Sequence, residues 1–321
     1  MSWRLLAAAI LWAAAGALQA QSSFPSRPIK LVVGFPPAGA ADFVSRTLGE
    51  PLSRALGQPI VIDNRPGAGS SIAAEYVVKS APDGYTLLIA SPSSILVNPL
   101  LMKLGYDAKR DLMPVTKVTS SPLVVAVNPS VGATTLRELI EAAKRQPGKL
   151  NFASSGNGAA PHLAAVLFMK LAGVEIVHVP YKGGGPAVQS VLAGDTQLSF
   201  ATPPSVLPLV QAGRLRALAV TSRNRTPLVP GVPGMEEAGL PDYEISFWYG
   251  FFLPAGTPRE IVQKLHQETS KALALPEVGK GLAREGTEVS GSKSPEEFAA
   301  FIAEDAKLWT RLVRDSGVKA D

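Results

Sequence analysis

Short apolar runs alternate along most of the chain with segments whose apolar residues recur at helical spacing. The run Ile29–Val33 predicts a buried strand, and side chains at positions 43, 44, 47, 48, 52 and 56 lie on one face of a helix. Further strands are predicted at residues 60–62 and 86–90, with a helix between them that starts at Ser70 and Ser71. This order predicts three βα units in an α/β fold with largely parallel sheets.

The same alternation continues through the second half of the chain. Helices are predicted at residues 136–145 and 163–171, and strands at 115–118, 123–127, 151–153, 177–179, 198–200 and 215–220. Residues 243–253 form an extended segment, in which the chain is predicted to cross back between two lobes near 243–247. Thr135, Thr257 and Ser294 each precede a glutamate by three residues, which predicts three capped helix starts. The chain is therefore predicted to form two α/β lobes.

A turn of small residues, 34–42, joins the first predicted strand to the first predicted helix. A helix start presents unpaired backbone N–H groups and a partial positive charge. Small side chains let a ligand approach that backbone closely. The turn is therefore predicted to bind an anion such as a carboxylate. The segment Ser-Ser-Gly-Asn-Gly-Ala-Ala-Pro at 154–161 precedes another predicted helix and repeats this design.

Residues 1–20 are predicted to form a signal peptide. Arg4 precedes an apolar stretch at 5–18, and small residues at 15, 17 and 20 fit a cleavage site. The stretch is short for a membrane span, so an uncleaved anchor is the alternative. The 321 residues include no cysteine, which leaves neither a lipoprotein attachment nor a disulfide. We therefore expect export to a bacterial periplasm, with the signal peptide removed.

Charge and motifs exclude several classes of function. The formal net charge of +5 indicates a mild attraction for anions, and scattered lysines and arginines argue against nucleic-acid binding. The chain has no cysteine nucleophile and no Gly-x-Ser-x-Gly motif, and its three histidines lack metal-binding spacing. Gly-Ala-Gly at 67–69 lacks the third glycine of a dinucleotide-binding fingerprint. We therefore predict no catalytic residue, no metal site and no cofactor.

An ordered series of short motifs spans the chain after residue 20. The series comprises Pro-Ser-Arg-Pro-Ile at 25–29, Val-Gly-Phe-Pro-Pro at 33–37, Asp-Asn-Arg-Pro-Gly-Ala-Gly at 63–69, Pro-Asp-Gly-Tyr-Thr-Leu at 82–87, Ser-Ser-Gly-Asn-Gly at 154–158, Val-Pro-Tyr-Lys-Gly-Gly at 179–184, Trp-Tyr-Gly at 248–250 and Pro-Ala-Gly-Thr-Pro at 254–258. In this order the motifs resemble the Bug-type solute receptors of tripartite tricarboxylate transporters. The resemblance implies a type II periplasmic binding protein fold, whose two hinged α/β lobes close on a small organic anion.

The resemblance also implies that backbone N–H groups and ordered water hold the ligand carboxylate. The predicted ligand-binding residues are Phe35, Pro37, Ala38, Gly39, Ala40, Ala41, Asp42, Ser91, Ser93, Ser154, Ser155, Gly156, Asn157, Gly158, Tyr181, Ala201 and Thr202. Asp42 is expected to order the turn or cap the helix, because an aspartate aimed at a carboxylate would repel it. Ala38, Ala41, Ala159 and Ala201 depart from the family pattern. Many members carry Asp at the position of Ala201, so its absence argues against an amino-acid ligand and for a less polar one.

The predicted function is that of an exported receptor for a small organic carboxylate, and the resemblance alone implies delivery to a tripartite-type membrane permease. A ligand-sensing subunit that feeds a regulator is one alternative. A small-molecule hydrolase or isomerase on the same scaffold is another. The first lobe is predicted to comprise residues 21–130 with 245–321, and the second residues 131–244. We expect a monomer.

Overall fold

The computed structural model describes residues 24–284 and 286–316. The predicted signal peptide lies outside the described residues. The described strands are β1 (Ile29–Val33), β2 (Ile60–Asn64), β3 (Thr86–Ala90), β4 (Leu112–Pro122), β5 (Val124–Val127), β6 (Asn151–Ser154), β7 (Val177–Pro180), β8 (Leu198–Ala201), β9 (Arg216–Val220), β10 (Ser246–Pro254) and β11 (Glu288–Val289). The described helices are α1 (Ala40–Leu56), α2 (Ser71–Val78), α3 (Asn98–Leu101), α4 (Ala108–Asp111), α5 (Leu136–Arg145), α6 (Ala160–Ala172), α7 (Gly184–Ala193), α8 (Pro203–Gln211), α9 (Arg259–Leu273), α10 (Pro276–Arg284) and α11 (Pro295–Ser316).

These strands form two mixed sheets. The first has the order β11-β4-β10-β3-β1-β2, with β1 parallel to β2 and β3 and with β10 antiparallel to β3 and β4. The second has the order β7-β6-β8-β5-β9, with β6 parallel to β7 and β8. Continuous apolar runs such as β1 are buried on both faces, as expected for parallel strands covered by helices. The predicted two-lobed α/β fold is confirmed.

The chain crosses between the two sheets at Leu123 and at Ile245, and Thr221 joins both crossings. Its buried Oγ1 accepts a hydrogen bond from the N–H of Leu123 and donates one to the carbonyl of Ile245, each at 2.7 Å. Its backbone N–H donates to the Leu123 carbonyl at 2.9 Å, and its carbonyl accepts from the Ile245 N–H at 3.0 Å. By sheet membership β5 belongs to the second lobe, so the first crossing precedes residue 130, where the lobe boundary was predicted.

Three local predictions differ from the structure. Residues 93–97, which follow the strand predicted at 86–90 and lie in none of the predicted helices, form a wide helical turn that continues into α3. Strand β4 runs without interruption through Pro122, because the antiparallel pairing with β10 extends to that residue. Thr257 does not cap α9, since its hydroxyl donates to the Pro254 carbonyl at 2.8 Å.

The other two predicted caps are confirmed. Thr135 Oγ1 accepts from the N–H of Glu138 at 3.2 Å, although the Glu138 carboxylate returns to the N–H of Thr134 rather than to Thr135. Ser294 Oγ accepts from the N–H of Glu297 at 3.1 Å.

The last described helix contacts both lobes. Helix α11 packs against β4 in the first lobe and against α6 in the second. Its Asp305 carboxylate accepts hydrogen bonds from the indoles of Trp248 at 2.7 Å and Trp309 at 2.8 Å. None of the described helices has the length and apolarity required to cross a bilayer.

Candidate ligand-binding cleft

A small cavity of about 40 Å³, the inner cavity, lies between the two lobes. Nine predicted ligand-binding residues line it: Phe35, Pro37, Gly39, Ala40, Ala41, Ser93, Ser155, Ala201 and Thr202. The volume has room for about three water molecules, so the lobes lie close together in this conformation. Two contacts between lobes agree with that: Ser93 Oγ accepts from the Ala160 N–H at 3.3 Å, and a Cβ added to Gly183 would lie 2.9 Å from Pro36 Cδ.

Four described helices, α1, α6, α7 and α8, begin at the inner cavity. Their N-cap residues, Gly39, Ala159, Gly183 and Thr202, accept no hydrogen bond from a first-turn backbone N–H through a side chain. First-turn N–H groups have no carbonyl partner within their helix and carry a partial positive charge. Ala40 and Ala41 of α1 and Gly184 and Gly185 of α7 therefore bring backbone donors to the inner cavity from both lobes. Helix α8 brings none in its first two residues, because Pro203 and Pro204 have no N–H, and in α6 the Ala160 N–H already donates to Ser93 Oγ. None of the described residues that line this cavity carries a charged side chain.

Asp42 shapes the first-lobe turn from behind rather than lining the inner cavity. Its buried carboxylate accepts hydrogen bonds from the Ala38 N–H at 3.0 Å, Arg46 Nε at 2.8 Å and Asn64 Nδ2 at 3.1 Å. Burial raises the pKa of Asp42, but these hydrogen bonds outweigh it and hold the pKa below its usual value. Ala38 has a φ of +62°, and Asp42 already occupies its N–H. Both residues therefore position the turn.

The second-lobe turn rests on two stacked histidines. The rings of His162 and His178 lie 3.8 Å apart, and His178 Nε2 lies 2.6 Å from Ser154 Oγ. His162 Nδ1 accepts from the Gly158 N–H at 3.1 Å. Burial and the proximity of His178 lower the pKa of His162 to about 3, which keeps this ring neutral and able to accept. Ser154 was predicted to bind the ligand, but it is buried behind the turn and does not line the inner cavity.

An outer cavity of about 230 Å³ adjoins the inner one, and Phe35 and Ser155 line both. Three further predicted residues, Gly156, Asn157 and Tyr181, line it together with Lys182 and the loop 66–70. Ala68 and Ser70 in this loop have positive φ angles of 45° and 78°. Such backbone strain in non-glycine residues clusters at functional sites.

Ser91 and Gly158 line neither the inner nor the outer cavity, although both were predicted to bind ligand. Ser91 is fully buried, and its hydroxyl has no hydrogen-bond partner among the described residues. Gly158 faces α3 instead, since a Cβ there would lie 2.7 Å from Leu101 Cδ1.

Sequence reasoning missed about half of the inner-cavity lining. The missed residues are Pro161, Gly184, Gly185, Pro186, Ala187, Ser199, Phe200, Ser205, Phe247 and Tyr249, whereas Pro36 belongs to the turn 34–42 that was predicted to bind the anion. The sequence analysis placed Gly184 only in the motif at 179–184, and Phe247 and Tyr249 only in the extended segment 243–253. The period-two alternation of a strand was the available signal, because it places residues 247 and 249 on one face.

A larger opening of about 910 Å³, the hinge groove, lies on the opposite face of β10. Ser246 and Trp248 line the hinge groove, whereas Phe247 and Tyr249 line the inner cavity. The groove also contains Lys117 and Asp305 from the first lobe, and Arg223, Asp242 and Glu244 from the second. Because its lining mixes both signs of charge, we take the inner cavity as the anion site.

Metal binding has no support in the part of the chain that the structure describes. No group of three or more histidine, aspartate or glutamate side chains there could hold a metal ion.

Comparisons with known proteins agree with one another. The profile of the family described as "Tripartite tricarboxylate transporter family receptor" matches residues 44–318. Protein BugT of Bordetella pertussis is 38% identical, over 98% of this chain and 98% of its own length. The structure of R. palustris Rpa4515 with adipate has a TM-score of 0.88 and 34% identity, covering 93% of this chain and 100% of that one. MatC (Rpa3494) from Rhodopseudomonas palustris with bound malate has a TM-score of 0.85 and 32% identity, covering 90% and 100%.

Proposed function

Because the chain belongs to the tripartite tricarboxylate transporter receptor family, we propose that it is an exported receptor for a small organic carboxylate. In this proposal it binds the carboxylate in the inner cavity and presents it to a membrane permease. The observation that carries the proposal is the convergence on one cavity of two helix starts, α1 from the first lobe and α7 from the second, whose first two residues carry backbone N–H groups. Family membership supports the permease, and the predicted signal peptide supports a periplasmic location.

Binding uses the backbone rather than charged side chains. The carboxylate accepts hydrogen bonds from first-turn N–H groups such as those of Ala40 and Ala41 in the first lobe and of Gly184 and Gly185 in the second. Anions near helix N-termini are stabilised by typically 0.3–1 kcal/mol per helix in exposed settings, and by more in partly buried ones. The two helix starts together replace the hydration that the carboxylate loses on burial.

Ligand binding and lobe closure are coupled in this proposal. Two bodies, residues 24–122 with 246–316 and residues 123–245, rotate about the crossings at Leu123 and Ile245. A ligand that contacts both bodies binds the closed form more tightly and so shifts the population toward it. The closed form then presents the surface that the permease recognises. Both walls of the cavity come from one chain, which supports a monomeric receptor.

No bond chemistry is proposed. The inner cavity is lined by hydroxyl, aromatic and backbone groups, and the imidazole of His162, the residue after the lining residue Pro161, already accepts the Gly158 N–H. The receptor therefore releases its ligand unchanged.

Two variants at Thr202 that match in shape and differ in charge test the site. Thr202 is the N-cap of α8 and lines the inner cavity, and both Asp and Asn are favoured N-cap residues, so both variants should fold. Thr202→Asp places a negative charge beside the proposed carboxylate, whereas Thr202→Asn has nearly the same shape without the charge.

Thermal shift with a panel of organic acids, on protein that starts at Gln21, provides the measurement. A ligand at one hundred times its Kd stabilises the folded state by about 2.7 kcal/mol. We expect a saturable shift for wild type and Thr202→Asn and a loss of at least tenfold in affinity for Thr202→Asp. Equal affinity of the two variants would place the anion elsewhere, and ligand turnover detected by mass spectrometry would contradict a receptor.

A further inference from the structure

We infer that Gly158 is a positioning residue for lobe closure. Because it has no side chain, the second lobe can pack closely against the first at this point, and a side chain there holds the cleft partly open. The inference rests on the proposed function, since it names a contact that fixes the closed form of the receptor. It also gives Gly158 a role other than the ligand contact that the sequence predicted.

The atoms nearest to a side chain at position 158 all belong to the other lobe. Gly158 lies in the second lobe, in the turn between β6 and α6. A Cβ on it would lie 2.7 Å from Leu101 Cδ1, 3.1 Å from Asn98 Oδ1 and 3.5 Å from Val97 Cγ1, all in the first lobe. Carbon atoms attract each other best at about 3.5–4.0 Å, so the approach to Leu101 is too close for a Cβ. The lobes therefore meet at this separation only with glycine at 158.

The contact extends along one side of a helical segment of the first lobe. Ser93, Val97 and Leu101 follow one another at intervals of four residues through the wide helical turn and α3, so they share a side of that segment. Ser93 Oγ accepts a hydrogen bond from the N–H of Ala160, two residues after Gly158, at 3.3 Å. The hydrogen bond and the close approach at Gly158 are thus parts of one interlobe contact.

Asn98 is held in place within this contact. Its Nδ2 donates to the Ala68 carbonyl at 2.9 Å and to Ser71 Oγ at 2.7 Å, and its side chain is fully buried. Its Oδ1 faces Gly158 and has no hydrogen-bond partner among the described residues. A side chain at 158 would therefore meet an amide that is fixed by its own hydrogen bonds, and the lobes would have to separate instead.

Backbone conformation at Gly158 also favours glycine, and Gly173 separates this local effect from the interlobe contact. Gly158 has a φ of +68°, which costs any L-residue conformational strain. Gly173 lies in the same lobe, directly after α6, with a nearly equal φ of +64°. A Cβ on Gly173 would meet no atom within 4 Å. Substitutions at 173 therefore introduce the strain without a contact to the first lobe.

A graded pair of substitutions at each of these two glycines tests the inference. Gly158→Ala and Gly158→Leu fill the space between the lobes progressively. Because overpacking opposes closure, we expect the affinity for a carboxylate to fall at least about fivefold in the first and at least about thirtyfold in the second. Gly173→Ala and Gly173→Leu should lose stability but bind as wild type does. Gly158→Ala keeps the test available if the larger side chain prevents folding.

Leu101→Ala provides a control on the opposite lobe. It removes the Cδ1 atom that a Cβ at 158 would meet, and Leu101 lines neither the inner nor the outer cavity. Gly158→Ala combined with Leu101→Ala should bind within about twofold of Leu101→Ala alone, because neighbouring substitutions are not additive. A binding turn distorted by the alanine itself would not be repaired by a change in the other lobe, so equal losses with and without Leu101→Ala would contradict the inference.

Spin labels on the two lobes measure closure directly. The chain has no cysteine, so cysteines placed at the exposed residues Glu50 on α1 and Gln189 on α7 are the only labelling sites. With a carboxylate bound, the distance between the labels should be longer in Gly158→Leu than in wild type. Gly173→Leu should leave that distance unchanged.

Adipate, malate and the other acids of the thermal-shift panel are the probes, and calorimetric titration gives their affinities. Binding of an acid by wild type, with equal affinity and equal label distance in Gly158→Leu, would overturn the inference and leave the proposed receptor intact. Absence of binding of every acid to wild type would overturn the proposed function and the inference with it.

Discussion

At the scale of single residues, the shape of the cleft depends on side chains that lie behind it. Asp42 holds the first-lobe turn through the Ala38 N–H, and His162 holds the second-lobe turn through the Gly158 N–H. The sequence analysis expected Asp42 to order the turn or cap the helix, and its hydrogen bond from the Ala38 N–H agrees with the ordering role. The sequence could not show that Ser155 lines the cavity while Ser154 is buried behind it. The direction in which each hydroxyl points depends on the bend of the turn, which the residue types do not reveal.

The stability of the second-lobe turn should depend on pH through His162. Its pKa of about 3 in the folded state lies below the usual value of 6.5. Between these two pH values the unfolded state therefore binds a proton at His162 and the folded state does not. The free energy of unfolding should therefore fall as pH drops from about 6.5 toward 3, by up to about 1.4 kcal/mol per pH unit. Urea denaturation at pH 7, 6, 5 and 4 measures this slope.

Two substitutions distinguish the effect of protonating His162 from the effect of its hydrogen bond to the Gly158 N–H. His162→Asn keeps an acceptor near the position of Nδ1 and removes the titration, so it should flatten the pH profile while retaining most of the stability at pH 7. His162→Gln places its acceptor near Nε2, so it should flatten the profile and also lose about 1–3 kcal/mol at pH 7 by leaving the Gly158 N–H unpaired. An unchanged slope in both variants would rule out His162 as its source.

At the scale of elements, apolar runs such as β1 and β3 predicted the central strands well because these strands are buried in a sheet covered by helices. Residues 93–97 were harder, because Ser-Pro-Ser-Ser indicates a loop by local propensity. Distant contacts decide that segment: the Asn98 side chain, at the start of α3, donates to the Ala68 carbonyl at 2.9 Å and to Ser71 Oγ at 2.7 Å. Contacts of this kind are invisible to a local pattern.

A residue with left-handed backbone geometry lies just outside each end of helix α1, and the two residues should respond oppositely to substitution. Ala38 precedes the helix with a φ of +62°, and Gly57 follows it with a φ of +67°. A left-handed conformation costs an L-residue about 1–2 kcal/mol, and glycine avoids that cost at an entropic penalty of about 0.5–1 kcal/mol. Ala38→Gly should therefore raise the free energy of unfolding by up to about 1 kcal/mol.

Gly57→Ala is the matched control for that prediction. A Cβ at Gly57 would meet no atom within 4 Å, so only backbone strain changes. Chemical denaturation should show a loss of about 1 kcal/mol. Changes of the same sign in both variants would refute the strain argument.

At the scale of the whole molecule, the chain connects the two lobes at the two crossings, and Thr221 is hydrogen-bonded to both of them. Thr221→Val keeps the shape but leaves the Leu123 N–H and the Ile245 carbonyl without the hydroxyl, which should cost about 2–4 kcal/mol. Thr221→Ser keeps the hydroxyl and should cost less than half as much. Urea denaturation measures both losses, and similar losses would show that packing of the methyl group, rather than the hydrogen bonds, matters.

The hinge groove has a consequence for how the motion can be observed. The chain has four tryptophans, and two of them, Trp3 and Trp12, fall within the predicted signal peptide. The mature protein would keep Trp248 and Trp309, whose indoles share the Asp305 carboxylate. Because cleft and groove lie on opposite faces of β10, a rotation that narrows the cleft widens the groove beside Trp248. Intrinsic fluorescence would then report closure without any attached label, from two emitters at a single locus.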